Sequence, residues 1–314
     1  PFYYGLAQTF PVADRWFCSV MAQTYPNRRF LIAGTAAGIV STSTASLVAP
    51  PPPNGTIFDR LDAHGITWRD YYTDVPAVAV IPSVLKNRTH NLAKASQFIT
   101  DAAAGTLPAV SFVDPNFGHQ SEEDPQDIRQ GERFAAAIID AAMHGPGWGK
   151  TLLIWTYDEH GGYYDHVAPP AAIEPDNIPP EIHVPPDLPG AYNRYGFRVP
   201  SVIVSPYARA NYVSHVVHDH TSILKLIETK WNLPALTFRD ANADNLLDSL
   251  DFTAKPAFMH PPTLPAPGLP PSVTIDASSS ATDHCTEGNP GGVIPPPSAV
   301  VPASKASTLR VGAT

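Results

Sequence analysis

The sequence predicts an α/β fold, a three-layer α/β/α sandwich around a mostly parallel central sheet. The first observation is an apolar, β-branched and aromatic run over residues 152–157 that ends abruptly in charged residues. Buried parallel strands look like this where they reach the carboxyl edge of a sheet. The second observation is an amphipathic helix over residues 125–144 that leads directly into this strand. A helix followed at once by an apolar strand is typical of parallel α/β layers.

The predicted strand delivers two adjacent carboxylates, Asp158 and Glu159, followed by His160 and a pair of glycines. Open α/β sheets bind their ligands at this edge. Adjacent carboxylates repel each other unless a positive charge neutralises them, and a divalent metal ion is the usual partner. The glycines permit the tight turn that such a site needs. The pattern favours a metal or catalytic site, and a polar surface turn is the alternative.

Composition limits the classes of function. The chain has 314 residues, a formal net charge of −9 and a pI near 5.7. This acidic balance argues against nucleic acid as a partner, and no apolar run approaches the roughly 20 residues that span a bilayer. Two cysteines, Cys18 and Cys285, exclude a disulfide framework and leave a single bridge between them open. The chain begins at Pro1 without a visible signal peptide, so we expect a processed form or a fragment.

Local signals predict the remaining elements. A capping box over residues 56–59 opens a short helix that ends at Gly65. Alternating residues over 66–72 predict a strand, and apolar runs over 109–113 and 199–206 predict two more.

Polar residues stand at the starts of two predicted helices. Thr24 is the expected N-cap of a helix that has Pro26 in its first turn, and Asp124 is the expected cap of the helix over 125–144. A hydroxyl at a helix N-terminus lies beside free backbone N–H groups that suit a phosphate, and Arg28 adds positive charge nearby. The plainer interpretation is that Thr24 only caps its helix.

Three further segments complete the prediction. Residues 168–198 are proline-rich and follow the two carboxylates, so we expect a wall or lid over the site. The histidines and the aspartate over residues 215–220, just before a predicted helix, are either ligands or a polar surface turn. The Pro/Ser/Ala-rich residues 256–314 predict an extended tail after a domain that spans residues 1–255.

Four stretches of the sequence, in order and spacing, resemble one known family. The first is Asp14-Arg15-Trp16-Phe17-Cys18-Ser19-Val20 with Thr24-Tyr25-Pro26-Asn27-Arg28, and the second is Ile57-Phe58-Asp59-Arg60-Leu61 with Gly65-Ile66-Thr67-Trp68. The third is Thr156-Tyr157-Asp158-Glu159-His160-Gly161-Gly162 with Asp165-His166-Val167, and the fourth runs from Arg198-Val199-Pro200 to His220-Thr221-Ser222. On these residues the chain resembles the phosphoesterase family of non-specific phospholipase C and the related acid phosphatases, within the alkaline-phosphatase superfamily. The fold implied is alkaline-phosphatase-like.

The resemblance implies that Thr24 is the nucleophile and that Thr24, Asp158 and Glu159 hold a divalent metal ion. His160 is expected to join them in catalysis. The positions expected to bind substrate are Asn27, Arg28, Asp124, His166 and His220. Metal coordination and a helix N-terminus would stabilise the alkoxide of a threonine, which is otherwise a poor nucleophile. His160, His166 and His220 stay alternatives for the group that protonates the leaving alcohol or activates the water.

Two departures from the family pattern carry expectations of their own. The family begins with a strand that ends in a Glu-Asn-Arg-Ser-type motif, so this chain is expected to lack the N-terminal strand. The family usually has His-Pro where this chain has Asp124-Pro125. The second departure predicts a change in substrate or efficiency.

The leading hypothesis is phospholipase C activity on phospholipids through a phosphothreonine intermediate. The alternatives are an acid phosphatase on small phosphomonoesters and a catalytically impaired remnant that binds phosphate or lipid. A lipase needs an apolar entrance, and the loop over 168–198 supplies Ile173, Ile178, Ile182, Val184 and Leu188. A zinc peptidase is disfavoured because no His-Glu-x-x-His is present. We expect a secreted or cell-surface location, with peripheral membrane contact left open.

Overall fold

The computed structural model describes residues 1–182 and 191–268. The helices are α1 (Phe2–Thr9), α2 (Thr24–Ala33), α3 (Ile57–Ala63), α4 (Pro82–Asn87), α5 (Ala95–Ala104), α6 (Ile128–His144), α7 (His220–Trp231) and α8 (Phe238–Ala241). The strands are β1 (Val12–Ala13), β2 (Trp68–Tyr72), β3 (Leu92–Lys94), β4 (Val110–Asp114), β5 (Leu153–Thr156), β6 (Ser201–Val204) and β7 (Val213–Ser214). They form a parallel sheet in the order β3–β2–β4 and a mixed sheet in the order β5–β6–β1–β7.

The parallel sheet is covered by helices on both faces. Side chains alternate along β2, so Trp68 packs into a core with α2, α3 and α7, whereas Tyr71 packs with α5 and α6. Strands β2 and β4 pair in a register that sets Tyr72 beside Asp114. Asp114 therefore lies at the carboxyl edge of the sheet, on the face covered by α2.

The mixed sheet has the same two-sided arrangement. Val202 and Val204 of β6 pack with α1 and α6, and Ile203 packs in a core that includes side chains of α7. The α/β class and the three layers predicted from the sequence are confirmed.

The direction and burial predicted for the strand over 152–157 are wrong. Strand β5 pairs antiparallel with β6, with Ile154 opposite Ile203, and it lies at the edge of its sheet. All four of its residues are half-buried, not buried on both faces. The prediction failed because an apolar run reports burial and strand propensity but carries no information on the direction of the neighbouring strand.

The predicted N-terminal cap is correct for α3 and wrong for α6. The predicted capping box forms, since Thr56 accepts from the Asp59 N–H and Asp59 reaches back to the Thr56 N–H. Helix α6, however, begins at Ile128 and is capped by Asp127, so the prediction that Asp124 caps it is wrong. Asp127 caps the helix in place of Asp124 because the chain makes another turn, with the Gln126 N–H donating to the Glu123 carbonyl, before the helix starts.

The described part of the proline-rich loop packs beyond the carboxyl end of α2. The Glu181 N–H donates to the Gly38 carbonyl at 2.8 Å. Of the apolar residues that favour a lipid entrance, Ile173 is 47% exposed, and Val184 and Leu188 lie outside the described residues. A wall or lid over the site stays a prediction.

The segment that follows residue 255 packs against the core at its start. The Trp148 indole N–H donates to the Phe258 carbonyl at 2.8 Å, and the Phe258 ring lies 4.7 Å from that of Phe10. The Gly268 N–H donates to Glu132. Residues 269–314, which make up most of the predicted tail, lie outside the described residues. In the part of the chain that is described, no helix has the length and apolarity to cross a membrane.

Candidate active site

Thr24 is the first residue of α2. The residue that precedes the helix is Gln23, and no side-chain cap bond forms there, so the prediction that Thr24 is the N-cap is wrong. The N–H of Tyr25 is taken by Thr42 Oγ1 at 2.9 Å. The Thr24 hydroxyl makes no hydrogen bond with the described residues and lies at the positive end of the helix dipole.

Arg28, one turn along the same helix, ties α2 to the ends of two strands. Its Nε donates to Asp158 Oδ2 at 2.7 Å, and its Nη1 donates to Asp114 Oδ1 at 2.7 Å. The guanidinium also lies 4.7 Å from the ring centre of Phe117. Burial would lower the pKa of Arg28, but the two carboxylates outweigh it and raise that pKa. Arg28 therefore stays charged, and its guanidinium is held in one orientation.

Asp158 and Glu159 follow β5 as predicted, and they carry different partners. Asp158 is held by Arg28, whereas Glu159 accepts the Gly161 N–H at 2.7 Å. Burial, and then the neighbouring Asp158 carboxylate, raise the pKa of Glu159 to about 7. Gly161 adopts a positive φ of 65°, which lets the chain turn within one residue of Glu159.

His220, the first residue of α7, lies directly behind Asp158. Its Nε2 donates to the Asp158 carbonyl at 2.6 Å, which leaves Nδ1 as a buried nitrogen with no hydrogen-bond partner among the described residues. Burial lowers the pKa of His220, so the neutral imidazole is favoured. The structure thus brings Arg28, Asp158 and His220 together.

His160 and His166 occupy different environments. His160 Nδ1 accepts the Gly162 N–H at 3.0 Å, and its ring meets Phe197 edge-on at 5.1 Å. Burial lowers the pKa of His160. The side chain of His166 is 86% exposed and lies 3.4 Å from Asp165.

A cleft of about 400 Å³ opens beside His160. It is lined by Tyr163, Tyr164, Asp165 and Arg198, among others. Both tyrosines are exposed, so the mouth of the cleft offers aromatic surface next to charged groups.

Two predicted substrate-binding residues make no contact with Arg28, Asp158 or His220 among the described side-chain bonds. Asn27 is fully buried, and its amide bonds the backbone of Val20, Ala22 and Gln23, which shapes the turn before α2. Asp124 is exposed, and no contact among the described residues joins it to Arg28. A role of either residue in binding substrate stays a prediction.

Sequence reasoning missed Asp114, which holds the second arm of Arg28. Behind it lies Asp70, which is fully buried and accepts the Val78 N–H at 2.9 Å. Burial, and then Asp114, raise the pKa of Asp70 to about 8. The available signal was the same as for Asp158, since Asp114 also stands at the end of an apolar strand.

The residues present fit a divalent metal ion. Asp158 Oδ1 accepts no hydrogen bond from the described residues. Burial, and then the Asp158 carboxylate, raise the pKa of Glu159, and a nearby cation would oppose both effects. No described contact joins Thr24 directly to either carboxylate. Elsewhere in the described residues, His218, Asp244 and Asp248 form another group with the chemistry to hold a metal ion.

A sequence profile of the Phosphoesterase family matches residues 1–234. The chain belongs to the Phosphoesterase family. Relatives include non-specific phospholipase C1 of Arabidopsis thaliana, which is 34% identical over 77% of this chain and 48% of its own length. Phospholipase C B of Mycobacterium tuberculosis is 32% identical over 87% of this chain and 60% of its own length. The chain spans about half the length of the Arabidopsis relatives that it matches.

This Phosphoesterase-family chain also has weak structural similarity to solved structures. One is a protein of the alkaline phosphatase superfamily from Vibrio parahaemolyticus, with a TM-score of 0.48 and 12% identity over 80% of this chain and 64% of that chain. Another is murine ectonucleotide pyrophosphatase/phosphodiesterase 5, with a TM-score of 0.48 and 14% identity over 80% of this chain and 94% of that chain. Scores at this level carry no argument about fold or function.

Proposed function

We propose that the protein hydrolyses phosphoric esters by phospholipase C chemistry, with Thr24 as the nucleophile. The observation that carries the proposal is the bond from Arg28 Nε to Asp158 Oδ2, because it sets the helix that begins at Thr24 against the acidic end of β5. The names of the relatives, non-specific phospholipase C and phospholipase C B, support the reaction class. The Thr24 hydroxyl would attack phosphorus, displace the alcohol and form a phosphothreonine that water then cleaves.

The chain's own groups supply positioning and charge. The N-terminus of α2 and the fixed guanidinium of Arg28 attract the phosphate and orient it beside Thr24. Asp114 and Asp158 hold that guanidinium in one direction. A divalent metal ion held by Asp158, Glu159 and Thr24 would supply Lewis-acid chemistry when bound.

Among the three candidate histidines, His160 is the best placed to transfer a proton. Its Nδ1 accepts the Gly162 N–H, so its Nε2 carries a proton. It borders the cleft, where a leaving alcohol would reach it. Nε2 of His220 is committed to the Asp158 carbonyl, and we infer that His220 positions Asp158 instead.

A phospholipid is the substrate that the names of the relatives favour. The exposed rings of Tyr163 and Tyr164 at its mouth offer aromatic surface for an apolar chain or a membrane surface. An acid phosphatase on small monoesters would need only the charged pocket.

The experiment compares hydrolysis of p-nitrophenylphosphorylcholine, a diester, with that of p-nitrophenyl phosphate, a monoester. We expect faster turnover of the diester by the wild type, loss of turnover in Thr24→Ala, and normal turnover in the control Thr100→Ala on α5. A preference for the monoester would favour the acid phosphatase. Turnover that survives in Thr24→Ala would remove Thr24 from the mechanism, and failure to cleave either ester would contradict the proposal.

A further inference from the structure

A second cluster of ligand-type side chains lies next to Trp16. The indole ring packs against two histidines, with ring centroids 5.8 Å from His218 and 6.5 Å from His220. His218 is 1% exposed and faces two carboxylates, Asp244 and Asp248. One ligand atom from each of His218, Asp244 and Asp248 can be chosen so that all three lie within 4.8 Å of one another.

Hydrogen bonds around His218 fix which ring nitrogen carries the proton. Ser214 Oγ–H donates to Asp248 Oδ2, so Ser214 Oγ accepts from His218 Nε2–H at 3.2 Å. The lone pair of Nδ1 then points towards Asp244. His218 Nδ1 and Asp248 Oδ1 are both buried without a hydrogen-bond partner among the described residues. His218 Nδ1 and Asp244 Oδ1 therefore face each other with no donor between them, whereas Asp248 Oδ1 lies on the Nε2 side of the ring. A metal-bound histidine has its other nitrogen anchored in the way that Ser214 anchors Nε2.

The distances around His218 show whether the cluster suits a bound metal ion or a proton shared between His218 and a carboxylate. His218 Nδ1 lies 3.5 Å from Asp244 Oδ1, and His218 Nε2 lies 3.6 Å from Asp248 Oδ1. A charge-assisted N–H···O bond is shorter, about 2.7–2.9 Å. Two atoms that each lie about 2.1 Å from a tetrahedral metal ion are roughly 3.4 Å apart. The separation from Nδ1 to Asp244 fits two ligands on one ion.

We propose that His218, Asp244 and Asp248 form a second cation site, which takes a transition-metal dication such as Zn²⁺ or Mn²⁺. One imidazole nitrogen with two carboxylates suits these ions, whereas Ca²⁺ and Mg²⁺ prefer oxygen ligands alone. The side chain of Asp244 is 38% exposed, so the site has an entry path and room for a water ligand.

The site would fasten the turn that follows α8 to the start of α7. Asp244 lies on that turn and Asp248 in the short 3-10 helix that follows it, at Leu247–Ser249. His218 precedes His220, whose ring donates to the Asp158 carbonyl. Its role is structural and does not depend on the chemistry of Thr24.

The test measures Zn²⁺ and Mn²⁺ binding to the full chain by calorimetry after chelator treatment. The double variant Asp158→Asn/Glu159→Gln serves as the background because it lacks the carboxylates of the other site. We expect this background to retain one equivalent of metal. Adding Asp244→Asn and Asp248→Asn should weaken its affinity by about tenfold or more. The matched control, Asp251→Asn, changes a nearby carboxylate outside the cluster and should bind like the background.

Two results would overturn the proposal: no metal bound by the background, or an unchanged affinity when Asp244 and Asp248 are replaced. Because a variant in a buried cluster can misfold, the wild type provides a second measurement. The ¹⁵N resonances of the His218 ring should show an unprotonated Nδ1 that shifts on saturation with Zn²⁺. A doubly protonated ring that persists in excess Zn²⁺ would also overturn it.

Discussion

Arg28 Nε and Asp158 Oδ2 lie 2.7 Å apart and join the helix that begins at Thr24 to the end of β5. The same guanidinium reaches Asp114 Oδ1 at the end of β4, also at 2.7 Å. One largely buried cation therefore sets the relative positions of α2 and of the ends of a strand from each sheet. The geometry of the proposed phosphate site depends on it.

Replacing Arg28 with lysine should destabilise the fold. A lysine ammonium cannot reproduce the planar fork, so one buried carboxylate, Asp114 or Asp158, would lose its partner. We expect the free energy of unfolding, measured in urea, to fall by about 3 kcal/mol. The control is Arg69→Lys, whose pair with Asp101 is more exposed and should cost less than about 1 kcal/mol. An equal fall in the free energy of unfolding in the two variants would show that the Arg28 pairs stabilise the fold no more than an exposed pair does.

Metal binding at Asp158 and Glu159 should appear as a shift in melting temperature. A ligand that binds only the folded state at a hundredfold excess over its Kd stabilises it by about 2.7 kcal/mol. We expect a gain of this kind for the chain in calcium, magnesium, manganese or zinc, relative to chelator. Asp158→Asn and Glu159→Gln should each remove most of it.

This melting series is best run in the Asp244→Asn/Asp248→Asn background, so that the cluster around His218 does not contribute. A midpoint that no metal moves in that background would contradict the assignment of Asp158 and Glu159 as ligands.

The sequence predicted the polar residues at one strand end because an apolar run that stops abruptly at charged residues is visible in a single short segment. Asp158 and Glu159 lie there, and the Thr56–Asp59 capping box forms, because both signals are local. The start of α6 was misplaced, since Asp124 and Asp127 are both good caps and the intervening turn decides between them.

Long-range pairing could not be predicted from these signals. The antiparallel partner of β5 is β6, which follows some 45 residues later along the chain. Asp114 and Arg28 are 86 positions apart, and nothing in either segment indicates that they meet. The same is true of His218 and Asp248, whose contact depends on how α7 and the turn after α8 fold together.

The Asp165–Arg198 pair should make the fold sensitive to strong acid. The Arg198 guanidinium donates to both oxygens of Asp165, at 2.6 and 2.9 Å, and lowers the pKa of that carboxyl to about 2. A depressed carboxyl pKa contributes stability that is present above the ordinary value and lost as the pH falls towards 2.

Because Asp165 and Arg198 line an open cleft, solvent screens the pair, and Asp165→Asn should cost about 1 kcal/mol of unfolding free energy at pH 7. The difference from wild type should shrink between pH 4 and pH 2, in denaturant titrations at each pH. Curves that stay parallel down to pH 2 would show that the pair contributes nothing.

Glu228 should make the fold less stable at high pH, whereas the Asp165–Arg198 pair makes it less stable at low pH. Its side chain is 4% exposed, and burial, followed by the neighbouring Asp240, raises the pKa of Glu228 to about 9. Ionisation of Glu228 therefore costs stability as the pH rises from its ordinary range towards 9. We expect Glu228→Gln to raise the free energy of unfolding at pH 8 by about 1–3 kcal/mol and to change little at pH 4.

The matched control for Glu228→Gln is Glu174→Gln, which alters an exposed side chain and should stay within about 0.5 kcal/mol of wild type at both pH values. A Glu228→Gln variant that is less stable than wild type at pH 8 would contradict the claim that ionised Glu228 destabilises the fold.

Thr24→Ala should remove turnover without unfolding the protein. No cap hydrogen bond is lost, since Thr24 is inside the helix and its hydroxyl has no partner among the described residues. We expect the thermal midpoint to move little, by less than the roughly 1 kcal/mol typical of a lost cap. A large drop in the midpoint would mean that the hydroxyl is structural.

The most direct test of the mechanism is to find the covalent intermediate. Wild-type protein is mixed with p-nitrophenylphosphorylcholine, quenched in acid during turnover and digested, and its peptides are analysed by mass spectrometry. The account predicts a phosphoryl group carrying the choline moiety on Thr24, and no modified peptide from Thr24→Ala. Modification of a different residue, or turnover with a burst of p-nitrophenol but an unmodified Thr24, would contradict it.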